Sequence, residues 1–169
     1  AERYVEQHFG PIPAECRSSS GSYQGIALHF PSLPALRFEA TRPAVNVWRD
    51  GFDHFLIRQS GCEISESTSF IQADQDEGFV RVRTKNPEGS QAELTARYLV
   101  GCDGGNSRVI HSLAPQAYRG IPWAFAFQKY YRGAVDLEPG WFHSFLERDI
   151  GIYAWLTFKD DLMLIGCCC

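Results

Sequence analysis

One stretch constrains this chain more than any other: Leu99 to Val109, reading LVGCDGGNSRV. An apolar run gives way to a single carboxylate, Asp103, framed by Gly101, Gly104 and Gly105. A plain turn needs one or two conformationally permissive residues. Three glycines around one carboxylate also leave the backbone bare enough for a ligand to come close, while the carboxylate can accept hydrogen bonds from hydroxyl groups. Alone, such a loop is equally what an ordinary turn looks like. Its meaning depends on the segments to either side.

The segment leading into it is a hairpin. FVRVRT (79–84) alternates with Val80, Val82 and Thr84 on one face, NPEG (86–89) is a turn, and AELTARYLVG (92–101) returns. The return strand places Leu94, Ala96, Tyr98 and Val100 on one face and is expected to deliver Asp103 at its C-terminal end. Ser107 then caps a short helix over RVIHSL, which stops before Pro115. Upstream, in DGFDHFLIRQS, Phe52, Phe55 and Leu56 recur at helical spacing. Asp50 is the expected N-cap, Asp53 favours the first turn, and Gly61 is a stop signal.

The flanks are extended. Residues 1–22 read as loop, with Pro11, Pro13 and the SSSGS run. GIALHF (25–30) and ALRFEA (35–40) read as strands, and Val45 and Val47 continue an extended segment to Trp48 and Arg49. Beyond residue 120 come four aromatic-rich strands separated by DLEPG, RDIG and KDD, an antiparallel sheet by pattern that the 25–40 strands can join. Hydrophobic residues make up 44% and aromatics 14% of the 169 residues, enough for a sheet core or a pocket for an apolar ligand.

Composition excludes some classes. A net charge of -4 gives no basic face for nucleic acid. No apolar run reaches the roughly 18 residues that span a bilayer, and the N-terminus carries no signal-peptide pattern. Cytoplasmic location, at most against a membrane surface, is the expectation. Cys16, Cys62 and Cys102 are scattered and read as buried reduced thiols; the closing Cys167, Cys168 and Cys169 lack the spacing of a zinc site, so no metal is expected. His8, His29, His54, His111 and His143 show neither triad nor metal spacing, and no catalytic acid or base is assigned.

Taken in order, RDGFDHFLIRQS followed after a hairpin by ARYLVGCDGGNSRV resembles the flavoprotein hydroxylase and geranylgeranyl reductase superfamily, FAD enzymes of the glutathione-reductase-like fold. In that family an R-x-x-F-D-x-x-L helix precedes a strand ending in a Gly-Asp-Gly-type motif; here Cys102 stands where a small residue such as Ala is usual. The resemblance implies that Asp103 holds the ribityl hydroxyls of FAD, that Gly104 and Gly105 let the cofactor approach, and that Arg49 lies near its diphosphate and flavin side. Phe52 and Asp53 match the motif as structural residues. The late segment, with Gly151-Ile152-Tyr153-Ala154-Trp155 in place of a GYxWxFP-like run, is similar to the substrate-domain sheet of the reductase branch. Trp123, Phe125, Phe127, Tyr153 and Trp155 are its candidate substrate wall.

The G-x-G-x-x-G turn with which such enzymes open occurs nowhere in the chain. The expectation is therefore an internal piece of a flavoprotein, α+β in class. It would hold the start of the substrate-domain sheet (1–44), part of the FAD-binding domain (45–118) and an antiparallel aromatic-rich substrate-domain sheet (119–169). The implied activity is FAD-dependent oxidation or reduction of an apolar or aromatic small molecule: isoprenoid reduction, hydroxylation or halogenation, with NAD(P)H as reductant. The fragment alone would be inactive and prone to self-association through uncovered apolar surface. Two other readings stay open here: a non-catalytic aromatic-rich β domain that binds an apolar ligand or protein partner, and a redox or metal protein using the terminal cysteines.

Overall fold

The computed structural model describes residues 2–147 and 153–168. Gly151 and Ile152 of the aromatic motif, the RDI portion of the RDIG separator and Cys169 lie outside the described residues. The chain divides into two compact units, residues 1–62 with 123–169, and residues 63–122.

The first unit is built on a six-stranded sheet. Its strands are β1 (Tyr23–Phe30), β2 (Leu33–Ala44), β6 (Ala126–Tyr131), β7 (Trp141–Phe145), β8 (Tyr153–Lys159) and β9 (Leu162–Cys168), in the order β2-β1-β7-β8-β9-β6. The four late strands are antiparallel among themselves, as their alternation implies. They join β1 differently from expectation: β7 runs parallel to it, Gly25 to His29 pairing with Trp141 to Phe145. β2 already occupies the other edge of β1 in antiparallel register, which leaves this edge to β7. The segment entering β7 then starts beside the same end of β1, where the Gln24 N–H donates to the Gly140 carbonyl at 2.7 Å.

Two helices complete this unit. The loop expected over residues 1–22 contains α1 (Glu2–Phe9) and a short 3-10 turn, Ala14–Cys16. The helix is held from outside: Glu2 and Glu6, one turn apart on the same face, each ion-pair with Arg17 at 3.4 Å. Gly10, at φ +84°, ends it. The second helix, α2 (Arg49–Gln59), starts slightly earlier than expected, with Trp48 rather than Asp50 at the N-cap. Asp50 stands in its first turn, where a carboxylate complements the helix dipole.

The second unit is a three-stranded antiparallel meander, β3 (Ser69–Asp76), β4 (Phe79–Lys85) and β5 (Gln91–Ala96), with α3 (Arg108–Leu113) packed on β3. Its core is Ala73, Val80 and Val82, with Phe70, Leu99 and Leu113 against them. The expected strand 92–101 stops at Ala96. That residue pairs with Val80, and β4 begins at Phe79, so the ladder has no partner beyond this point. Tyr98 and Val100, beyond its end, are accordingly exposed, and Leu94 is exposed although it pairs with Val82. Asp103 therefore lies in an irregular loop after the strand, not at its end.

Candidate functional site

The glycine-framed loop belongs to the second unit. Asp103 Oδ1 accepts from the Ser107 hydroxyl at 2.5 Å and Oδ2 from the Val109 N–H at 3.2 Å. Ser107, almost wholly buried, caps α3 as its sequence position implies, its Oγ accepting from the Ile110 N–H. The Ser107 bond, assisted by the Val109 N–H, holds the Asp103 carboxyl below the usual carboxylate value. Each oxygen keeps accepting capacity, and the residue is exposed. Next to it Gly104 sits at φ +84°, with nothing within 4 Å of where a Cβ would stand. Gly105 forms the adjoining turn with Asn106 and is exposed. The loop thus offers an ionised carboxylate beside open backbone. These features fit a hydroxyl-bearing chain laid along the loop, as the ribityl part of FAD requires.

Arg49 opens α2 in the first unit. Its Nε and Nη2 donate to Asp53 Oδ1 and Oδ2 at 3.0 and 2.9 Å, a bidentate pair one helical turn long. Asp53, expected only to favour the helix start, is thus also the residue that orients Arg49. The pair raises the Arg49 pKa further. Its side chain is 77% exposed, and the pair with Asp53 leaves Nη1 unused.

The predicted substrate wall is not one surface. Trp155 is buried and Tyr153 half-buried, their ring centroids 5.5 Å apart. Phe127, Trp123 and Phe125 are exposed. Trp155 pairs with Gly166, which pairs with Gln128, so Trp155 shares a face with Gln128 and Phe127 points to the other. Alternation along β6 separates residues that proximity in sequence had grouped. Trp155 also has a structural task, because its ring fills the space over Gly166. A cavity of about 550 Å³ lies elsewhere in this unit, between α1, Ile12 and residues 42–47, reaching Phe52. Of the scattered cysteines, Cys16 is buried as expected, whereas Cys62 and Cys102 are exposed.

Sequence reasoning passed over one cluster. Asp160, in the turn between β8 and β9, accepts from the Ser18 hydroxyl, from both the N–H and hydroxyl of Ser19, and from the Trp48 indole N–H at 2.8 Å. These bonds pull its pKa down to about 2. Lys159 lies over the Trp48 ring, 4.5 Å from its centroid. Asn46 donates to the Phe158 carbonyl and to Ser20 Oγ. The KDD separator and the SSS run carried no periodic signal; the short polar turn and the hydroxyl run were the available hints.

With this geometry in place, the class is defined: the chain has the fold of FAD-dependent halogenases and monooxygenases. The match to the myxobacterial chondrochloren halogenase CndH covers 92% of this chain and 38% of that one, at a TM-score of 0.69 and 20% identity. The flavin-dependent brominase Bmp2 matches at 0.66 and 17% identity, over 89% of this chain and 40% of that one. The p-nitrophenol 4-monooxygenase PnpA from Pseudomonas putida DLL-E4 matches at 0.58 and 16%, over 89% and 41%. Within that fold, residues 54–128 match the FAD binding domain family, the segment that holds Asp103, Gly104 and Gly105. The flavoprotein resemblance and the expectation of FAD as cofactor are thereby met. No curated protein sequence matches. The chain spans about two fifths of the length of these solved structures. No helix among the described residues is long and apolar enough to cross a membrane.

Proposed function

We propose that this chain is part of an FAD-dependent oxidoreductase of the monooxygenase or halogenase kind, acting on an apolar or aromatic small molecule. The observation that carries the reading is the ionised, exposed Asp103 beside the open backbone of Gly104, inside the segment matched by the FAD binding domain family. Asp103 accepts hydrogen bonds from vicinal hydroxyls, and Ser107 and Val109 fix its carboxylate so that no reorientation is needed on binding. Arg49, oriented by Asp53, offers its remaining N–H groups to a phosphate oxygen. FAD, when bound, supplies the redox chemistry, and the protein supplies position and an apolar surround. The pair formed by half-buried Tyr153 and buried Trp155 is the aromatic surface this reading assigns to substrate.

The likeness to two halogenating enzymes and a monooxygenase supports oxygen-dependent hydroxylation or halogenation over isoprenoid reduction. NAD(P)H is the reductant this reading expects. The test is the protein expressed at its full natural length. It should purify with FAD, and Asp103→Ala should lose most of it while keeping its fold by circular dichroism. A full-length protein that neither carries nor takes up FAD overturns the proposal.

A further inference from the structure

Lys159 closes β8 and is only 6% exposed, although lysine is rarely buried without a partner. Among the described residues its ammonium makes no hydrogen bond and no ion pair; its charge meets the face of Trp48. The adjacent carboxylate is spoken for. Both oxygens of Asp160 are engaged by Ser18, Ser19 and the Trp48 indole, bonds that pin the ring on which Lys159 rests. A desolvated ammonium without an anion is costly, and an aromatic face offsets only part of that cost. Burial accordingly lowers the Lys159 pKa.

Trp48 is also the N-cap of the 11-residue helix α2 and gives it no side-chain cap. The first N–H groups of α2 and Nη1 of Arg49 are therefore further donors in the same neighbourhood. Asp50 and Asp53 lie there too. Asp53 is engaged by Arg49, and Asp50 acts on Lys159 through space without pairing with it. The area is not a broad positive patch but one buried cation that Asp160, and then Asp50, favour through space without forming an ion pair with it.

We propose that Lys159 is a binding residue for an oxyanion, phosphate or carboxylate, of a small-molecule ligand, with the Trp48 ring as the floor of the site. The oxyanion has two chemical sources, the diphosphate of the cofactor or an acidic group on the substrate; only the first rests on the flavoprotein reading.

The test uses the full-length protein with labelled lysine side chains. Inorganic phosphate and then acetate are titrated in while the Lys159 amine resonance and tryptophan emission are monitored. A saturable shift of the Lys159 signal is expected. Lys159→Met should weaken the response to phosphate by about tenfold or more, and Lys159→Arg should restore most of it. Loss of the response when FAD is loaded assigns the oxyanion to the cofactor; its persistence assigns it to the substrate. No saturable shift with either probe, or a response equally strong in Lys159→Met, overturns the proposal. The wild-type resonance decides even if the Met variant does not fold. FAD uptake, measured on the same samples, reports separately on the flavoprotein reading.

Discussion

At the scale of single residues, one of the tightest constraints in the sheet is the absence of a side chain at Gly166. A Cβ there would run into the Trp155 ring and the Phe127 carbonyl, and neither is the loose end of a flexible side chain. Gly166→Ala should cost about 1–3 kcal/mol by overpacking, read as a lower denaturant midpoint at unchanged slope. Asp160 makes a different kind of demand. Its pKa of about 2 lies below its ordinary 3.8, so the folded protein binds this proton less readily than the unfolded chain does. Its contribution is complete above pH 3.8 and is lost as pH falls toward 2. Asp160→Asn should flatten the acid limb of stability in that window, measured by urea unfolding at a series of pH values. None of this was legible in KDD, because the partners of Asp160 come from Ser18, Ser19 and Trp48, and Trp48 lies 112 residues away.

At the scale of elements, Ser107 joins a helix to the candidate site. It caps α3 and also fixes Asp103, while its own N–H donates to the Tyr118 hydroxyl. Ser107→Ala should destabilise the second unit by about 0.5–2 kcal/mol and raise the Asp103 pKa. Amide exchange at Ile110 and a carboxyl titration read by NMR check the two parts. This helix was readable because cap, period and stop all lie within a few adjacent residues. So was the hairpin of β4 and β5, where alternation and the NPEG turn agree. Their limit was not readable, since β5 ends where its partner ends, and that is a property of β4. β3 went unseen because a bulge between Phe70 and Gln72 breaks its alternation. α1 is polar on most sides and owes its place to Arg17, a residue outside it. Arg49 and Asp103 could be singled out by motif, yet the residues that orient them could be assigned only with the fold in hand.

At the scale of the whole molecule, the seam between β1 and β7 carries a pair of histidines. A backbone carbonyl can only accept, so His143 donates through Nε2 to the Glu138 carbonyl and its Nδ1 is left to accept from His29 Nε2 at 3.0 Å. Phe145 stacks on His29, Phe158 meets His143 edge-on, and Arg37, paired with Glu138, stands close by. Burial, then His143 and Arg37, lower the His29 pKa below 6.5. The unfolded chain therefore takes up this proton first, and stability should fall as pH drops below 6.5. His29→Gln should remove that part of the slope, as measured by thermal unfolding at matched ionic strength.

The same seam fixes an order of events. The partners His29 and His143 are 114 residues apart, and the second unit is one continuous stretch between them. During synthesis that stretch is complete before β7 exists. The β1–β2 hairpin must meanwhile wait with one edge of β1 unpaired. Closure of this long loop, rather than formation of any one element, is thus the step expected to be slow, and an edge left waiting is where a nascent chain pairs wrongly.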